Sequence, residues 1–175
     1  MIFAPFVVKA AGGERVDVEI VPASPKDLRQ TQQGWQSNWV ASDIMRDTIK
    51  KYAMHTTNGE LVGLAGYEIW PQLPIVHIIY MESQPESNPT IAGNKRKYLG
   101  IGSALVAFGI KLSVDHGFGG EVSFEAKTTE LAKHYEKDFG ALPLGNYETS
   151  GPTRYMLADE AARTIFFRYL ERGED

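Results

Sequence analysis

Cysteine is absent from this sequence of 175 residues. The absence of thiols excludes disulfide bonds, a cysteine nucleophile and metal sites with thiolate ligands. It agrees with a chain that stays in the reducing cytoplasm, which is the location we expect. Four scattered histidines without paired carboxylates lack the spacing of a metal site, so we expect no metal cofactor.

Long apolar runs are also absent. No stretch comes near the ~20 consecutive apolar residues that a membrane-spanning helix needs, so we expect no membrane partner. Residues 1–11 are mildly apolar, but they contain Pro5 and Lys9 and lack the order of charged and apolar segments of a secretory signal. We interpret them as a first strand or an ordered arm.

The sequence has no excess of positive charge. Its 18 Lys and Arg residues are outnumbered by 22 Asp and Glu residues, and the formal net charge is -4. Domains that bind nucleic acids are usually basic, so we expect no nucleic-acid partner. An acidic protein instead attracts cationic ligands such as amines. The basic run Lys95, Arg96 and Lys97 is a local exception.

Local patterns in the first half predict a strand, helices and an antiparallel meander. Residues 16–21 alternate apolar and acidic side chains, which is typical of a half-buried strand. Ser24 and Pro25 are suited to the start of a helix. Residues 30–51 are polar with spaced aromatic and aliphatic side chains, which predicts one or two helices. Three strands follow, with the turn signal Asn58-Gly59 between the first two, at residues 52–57, 60–70 and 75–83.

The second half alternates helices and strands. A helix over residues 102–116 joins the strand at 75–83 to a strand at 121–126 in a right-handed βαβ crossover. The remaining predicted elements are a helix capped by Thr128 or Thr129 that ends at Gly140, a hairpin over 142–157 around Ser150-Gly151-Pro152, and an amphipathic helix over 159–172. The length and this order predict one α/β domain over residues 1–175, with helices on both faces of a mixed sheet.

A glycine-containing segment lies between the third predicted strand of the meander and the first long helix. It consists of Lys97, Tyr98, Leu99, Gly100, Ile101, Gly102 and Ser103. Glycines let successive N–H groups point at one spot, where the positive end of the helix dipole favours a pyrophosphate. A plain tight turn is the alternative. The Walker motif is absent, and Leu105 stands where the dinucleotide-binding motif has its third glycine.

The pattern Lys97-x-x-Gly100-x-Gly102 resembles the R/Q-x-x-G-x-G/A motif of the GNAT superfamily of acetyl-CoA-dependent N-acetyltransferases. Residues 131–141 are similar to the helix of that family that ends in Tyr-Glu-Lys-x-Gly-Phe. The order of elements from about residue 16 to residue 157 also fits, so the resemblance covers most of the chain. Departures are Lys97 in place of Arg or Gln, residues 127–129 where the family often has Asn, and a longer loop over residues 83–95.

The resemblance implies the GNAT fold: a mostly antiparallel central sheet with one splayed parallel strand pair and helices on both faces. It implies acetyl-CoA as co-substrate, with the pyrophosphate on residues 97–103 and pantetheine beside Met81, Glu82 and Ser83. A backbone N–H in that gap would stabilise the tetrahedral oxyanion. The family allows a homodimer, and the 83–95 loop is either a substrate lid or a tolerated surface insertion.

Two side chains take catalytic roles under this resemblance. Tyr135 corresponds to the tyrosine that protonates the departing thiolate of coenzyme A, with packing of its helix as the alternative role. Glu82 is our candidate for the base that deprotonates the amine. Alternation places it on one strand face with Tyr80 and Ile78, so a solvent-facing strand end is the alternative. Glu68 is the reserve candidate.

Other side chains have less specific interpretations. His77 lies in an apolar strand and is expected in the core rather than as a base. Four aromatic residues suit either core packing or an amine pocket: Trp35, Trp39, Tyr67 and Trp70. The sequence thus predicts acetyl transfer from acetyl-CoA to a primary amine of a small molecule, by direct attack in a ternary complex. The alternatives are a protein or peptide acceptor, a non-catalytic acyl-CoA-binding regulatory module, and an unrelated α/β nucleotide binder.

Overall fold

The computed structural model describes residues 1–126, 128–144 and 152–171. In the first half, the elements are β1 (Ile2–Phe3), β2 (Phe6–Lys9), β3 (Arg15–Pro22), α1 (Pro25–Gln30), β4 (Lys50–Thr56), β5 (Leu61–Trp70) and β6 (Ile75–Ser83). In the second half, they are α2 (Pro89–Ala92), β7 (Tyr98–Leu99), α3 (Ile101–Asp115), β8 (Val122–Ala126), α4 (Thr129–Phe139), β9 (Leu142–Leu144), β10 (Thr153–Leu157), α5 (Asp159–Phe167) and β11 (Leu170–Glu171).

The main sheet has nine strands in the order β7-β2-β3-β4-β5-β6-β8-β10-β9. Strands β6 and β8 are parallel, and α3 connects them as the predicted crossover helix. The other strand pairs of the described residues are antiparallel. A mostly antiparallel sheet with one parallel pair confirms the predicted fold class.

One face of the sheet carries the main core and packs mostly against α3. The Tyr67 hydroxyl donates a 2.7 Å hydrogen bond to the Leu105 carbonyl of that helix. Gly109 allows a close approach, because a Cβ there would lie 3.1 Å from side-chain atoms of both Tyr67 and Ile78. Helix α3 is therefore seated directly on β5 and β6, and its N-terminus has a defined position relative to them.

The other face of the sheet is covered by α1 and the segment that follows it. A second cluster of buried residues lies there, formed by Leu28, Trp39, Ile44, Ala53, Leu61 and Leu64. Helix α1 begins with a capping box between Ser24 and Asp27. The Asp27 carboxylate is also 2.7 Å from Nε2 of His55 on β4, which ties the helix to the sheet.

The segment over residues 31–49 contains turns and bends but no helix, so the helices predicted for residues 30–51 are wrong beyond Gln30. Thr31 ends α1, because its hydroxyl donates to the Leu28 carbonyl and accepts from the Trp39 N–H. Gly34 has a left-handed φ of +81°, which also interrupts a helix. The buried apolar residues act as separate anchors instead of forming one helical stripe.

The chain ends also differ from the predicted elements. Helix α5 ends at Phe167, short of residue 172, and β11 then pairs with β1, with Phe3 opposite Leu170. Tyr169 packs against the Phe6 ring at 5.1 Å between centroids. Strands β9 and β10 form the predicted hairpin, whose connection at residues 145–151 lies outside the described residues, as does Lys127. Within the 83–95 loop lies the short helix α2.

A bulge in β6 decides how the parallel pair opens. Gly66 is opposite Tyr80, but Tyr67 is opposite Ile78, so Ile79 is an extra residue in β6. A bulge bends its strand and reverses the alternation beyond it. Ile78 therefore faces α3, whereas Tyr80 packs on Trp39 at 6.1 Å between ring centroids on the other face. The prediction that Ile78, Tyr80 and Glu82 share one face was wrong for this reason.

His77 lies immediately before the point where the two parallel strands part. It is 4% exposed, its Nδ1 lies 2.8 Å from the Ser123 hydroxyl on β8, and its ring stacks on Trp70 at 4.5 Å. Burial, together with the positive charge of Arg154, lowers the pKa of His77 to about 4. The imidazole is thus a neutral core group, as the sequence indicated.

This depressed pKa predicts a pH dependence of stability. An unfolded histidine titrates near pH ~6.5, so the unfolded state binds the proton first and stability falls as the pH decreases. Between pH ~7.5 and ~5 the loss from His77 should be about 2 kcal/mol. Urea denaturation of the wild type and His77→Gln at both pH values checks this. The variant should lose less stability on acidification, and equal losses in both proteins would contradict the assignment.

Candidate active site

Two adjoining cavities lie where β6 and β8 part. The inner compartment, about 180 Å³, lies between the strands and is bounded by Tyr80, Phe124 and Glu125, among others. The outer compartment, about 710 Å³, extends from there to the start of α3, with Arg96 and Gly100 in its wall. The residues that line both compartments are Gln36, Met81, Glu82, Leu131 and Tyr135. The two cavities therefore form one groove, joined at these five side chains.

The outer compartment ends at the N-terminus of α3. Gly100 is the N-cap residue with a φ of +89°, and no side chain of the described residues caps this helix. The first intrahelical bond runs from the Ala104 N–H to the Gly100 carbonyl, so the preceding N–H groups remain directed out of the helix. A Cβ at Gly100 or Gly102 would meet no atom within 4 Å. This open, positively polarised end fits a phosphate group.

The basic residues before the glycines are divided between two tasks. The Lys97 ammonium lies 2.6 Å from the Glu60 carboxylate, which also accepts a 2.9 Å hydrogen bond from the Tyr98 hydroxyl. Arg96, in contrast, lines the outer compartment. Leu99 pairs with Val8 of β2. Lys97 and Leu99 thus brace the loop, and Tyr98 both braces it and lines the outer compartment. The other residues of this segment that line the compartment are Arg96, Gly100, Ile101, Gly102 and Ser103.

The end of β6 forms one wall of the junction. Met81 and Ser83 are opposite Ala65 and Gly63 of β5, whereas the register with β8 stops at Ile78. The edge of residues 79–83 that faces away from β5 therefore borders the gap between the parallel strands. A strand edge that borders a gap is the kind of surface on which an extended polar ligand pairs with backbone groups.

Glu82 is held in place at the same junction. Glu82 is only 8% exposed, and its Oε1 accepts a 2.8 Å hydrogen bond from the Ser37 N–H. The bulge at Ile79 directs this carboxylate to the face covered by residues 31–49. The carboxylate is therefore a positioned acceptor that reaches both compartments.

Tyr135 lies across the groove on α4. Thr128 caps this helix by accepting from the Leu131 N–H, and Gly140 ends it with a left-handed φ of +67°. Tyr135 is 7% exposed and packs edge-on against Phe124 at 4.6 Å between ring centroids. Burial raises the pKa of its phenol, so the proton is retained at neutral pH.

Most of the remaining candidates lie elsewhere. Trp39, 1% exposed, lines the inner compartment. Tyr67 packs in the main core, Trp70 stacks on His77, and Trp35 packs at the margin of the second cluster. Glu68, the reserve base, lies 3.7 Å from Arg46 and lines neither compartment.

Several lining residues were not identified from the sequence. They are Gln36, Ser37, Asn88, Phe124, Glu125 and Leu131. Gln36 and Ser37 lie in an irregular segment that the sequence assigned to a helix. The polar composition of residues 83–95 indicated that Asn88 lies in a loop. That composition did not indicate that Asn88 contacts Gln36.

The described part of the chain contains no group of three or more His, Asp or Glu side chains arranged to hold a metal ion. In those same residues, no helix has both the length and the apolar character needed to cross a membrane.

Comparisons of sequence identify no relative: no protein-family model matches the chain, and no curated protein matches it. Comparisons of structure find proteins of similar fold. Aminoglycoside acetyltransferase AAC(6')-Ib, in complex with coenzyme A and kanamycin, matches with a TM-score of 0.58 at 15% identity, over 84% of this chain and 98% of its own.

Two bacterial structures give similar matches. Spermidine/spermine N-acetyltransferase SpeG from Vibrio cholerae, in complex with manganese ions, matches with a TM-score of 0.55 at 13% identity, over 80% of this chain and 91% of its own. An acetyltransferase from Bacillus subtilis, in complex with CoA, matches with a TM-score of 0.54 at 13% identity, over 81% of this chain and 97% of its own. The chain therefore has the fold of the GNAT acetyltransferases, as the sequence resemblance predicted.

The two glycines of the loop should respond differently to substitution. Alanine at Gly100 must adopt the left-handed conformation, which costs about 1 kcal/mol, so Gly100→Ala should lower the free energy of unfolding by that amount. Gly102 has helical geometry and an open Cβ position, so Gly102→Ala should leave stability unchanged or raise it. Urea denaturation measures both. Equal destabilisation by the two variants would contradict this account of the loop.

Proposed function

We propose that this protein transfers the acetyl group from acetyl-CoA to the primary amine of a small molecule. The observation that carries the proposal is the groove between β6 and β8, which joins an open helix N-terminus to a junction flanked by Glu82 and Tyr135. An anion-binding end, a strand edge that borders the gap and an acid–base pair are the parts that such a transfer requires.

The outer compartment suits coenzyme A. The N–H groups at the start of α3, with Arg96 nearby, would hold the pyrophosphate. The edge of β6 at residues 79–83 would pair with the amide groups of pantetheine and direct the thioester toward the junction. Bound acetyl-CoA supplies the activated acetyl group. A backbone N–H on this edge stabilises the negative charge that develops on the carbonyl oxygen.

Glu82 is the proposed base. A primary ammonium must lose a proton before its nitrogen can attack a carbonyl carbon. The Ser37 N–H orients the carboxylate at the junction of the two compartments, where it takes this proton directly or through one water molecule. An acidic group at this point also attracts the cationic form of the amine.

Tyr135 is the proposed acid. When the thioester bond breaks, the leaving sulfur needs a proton, and Tyr135 donates its phenolic proton. The raised pKa keeps that proton in place until the sulfur becomes basic. The ammonium nitrogen gives up two protons in all, one to Glu82 before the attack and one after the C–N bond has formed. The second proton restores the Tyr135 phenol, and Glu82 releases the first to solvent, so the products are the amide, the free thiol of coenzyme A and one proton.

Two structures of similar fold carry names of small-molecule acetyltransferases, for spermidine and for aminoglycosides. These names agree with a small amine as acceptor, and a protein or peptide acceptor is the alternative, since another structure of similar fold is named a histone acetyltransferase. The non-catalytic alternative, an acyl-CoA-binding regulatory module, would use the same outer compartment without turnover.

The first prediction of this proposal is selective binding of the co-substrate. Calorimetric titration should show saturable binding of acetyl-CoA and coenzyme A and no binding of ATP, because the groove fits an extended pantetheine arm as well as a phosphate. Gly100→Ala should weaken both interactions. Absence of acetyl-CoA binding would overturn the proposal, and equal binding of ATP would favour an unrelated nucleotide site.

The second prediction concerns Tyr135. Tyr135→Phe should lower kcat by about 10²–10⁴-fold, the usual contribution of a positioned acid, while the Kd of acetyl-CoA stays unchanged. Thiol release in the presence of an amine panel measures kcat. Tyr155→Phe is the matched control, because Tyr155 packs against Tyr135 at 6.0 Å but directs its hydroxyl to Glu136. Full turnover in Tyr135→Phe would leave this tyrosine a packing role only.

A further inference from the structure

Two loops meet over the junction of the compartments. Asn88 Nδ2 donates a 3.1 Å hydrogen bond to Gln36 Oε1 across the groove. Beside this contact, the Cβ position of Gly34 lies 3.4 Å from Cγ of Pro85. The segment at residues 31–49 and the loop at residues 84–95 thus close over the groove at this point.

The 84–95 loop is anchored on the cofactor side. Asn88 is 6% exposed, and its Oδ1 accepts a 2.9 Å hydrogen bond from the Thr90 N–H. The Ser87 hydroxyl accepts from the Tyr98 N–H at 3.1 Å, and the Lys97 N–H donates to the Glu86 carbonyl at 2.8 Å. Asn88 therefore holds Gln36 from a fixed position, and the loop acts as a wall of the groove.

The space behind this wall is small. The inner compartment of about 180 Å³ is well below the ~300 Å³ at which pockets begin to hold drug-sized ligands. An acceptor held there has a body much smaller than an aminoglycoside.

The chemistry of the inner compartment restricts the acceptor further. Among the described residues, the ionisable groups that line this compartment are Glu82, Glu125 and the Tyr80 and Tyr135 phenols, with no Lys, Arg or His. The Glu125 carboxylate pairs with Arg154 at 3.0 Å, whereas the Glu82 carboxylate lies at the junction where the proposed reaction takes place. Most of the other lining side chains are aromatic or aliphatic, including Trp39, Phe124 and Leu131, and the polar residues Gln36 and Ser37 complete the lining at the junction.

We propose that the acceptor is a small monoamine with an apolar body, and that the Gln36–Asn88 contact determines this specificity by closing the junction to larger polyamines and aminoglycosides. The inference rests on the proposed acetyltransferase function and names the class of its substrate. The ammonium group of the acceptor faces Glu82, while its apolar body lies against the aromatic side chains of Trp39 and Phe124 in the inner compartment.

Competing amines test this inference in the full-length protein. Acetylation of benzylamine, spermidine and kanamycin is measured at saturating acetyl-CoA, and kcat/KM for benzylamine should exceed the other two values by about tenfold or more. Gln36→Ala removes the contact and should reduce this preference by about tenfold, chiefly by raising kcat/KM for the larger amines. Gln33→Ala, an exposed glutamine of the same segment, should retain the wild-type preference.

The possible outcomes distinguish the substrate class from the acetyltransferase function. A higher kcat/KM for kanamycin or spermidine than for benzylamine in the wild type would overturn the substrate class and leave the acetyltransferase function in place. An unchanged preference in Gln36→Ala would overturn the role of the Gln36–Asn88 contact. Failure to acetylate all three amines, despite binding of acetyl-CoA, would overturn the inference together with the proposed function.

Discussion

The parting of β6 from β8 after Ile78 is the feature on which the rest of the site depends. The two strands share a parallel register only from Val76 to Ile78, and the bulge at Ile79 bends β6 away beyond it. Buried backbone groups are nearly always hydrogen-bonded, so the opened edge is suited to an extended polar ligand. The same bend directs Glu82 toward residues 31–49 and leaves space opposite Tyr135 for a reacting amine.

The glycine loop is positioned by contacts that are remote from it in sequence. Strand β2 pairs with β7, directly before Gly100, and β1 pairs with β11 near the other end of the chain. Glu60, at the turn between β4 and β5, holds both Lys97 and Tyr98. The N-terminus of α3 is thereby supported on two sides, which suits a loop that binds a ligand through its backbone.

The pattern of residues 97–102 and the helix containing Tyr135 were sufficient to predict the fold, because the family motif depends on glycine geometry and local helix signals. The site residues were predicted less completely than the fold. Lys97 was expected to contact phosphate, but it is engaged by Glu60, while Arg96 lines the groove. Gln36 and Glu125 gave no sequence signal, because their proximity to Glu82 and Tyr135 arises only from long-range packing.

The sequence alone determined the elements whose causes are local. Ser24 and Asp27 cap α1, Gly59 turns the hairpin, and Gly140 ends α4, each through contacts within a few residues. Only the tertiary structure decided the bulge at Ile79 and the irregular path of residues 31–49. Both follow from contacts between distant segments, such as Ser37 with Glu82, 45 residues apart. Local propensity does not contain that information, because the energy that selects these conformations comes from burial against the rest of the chain.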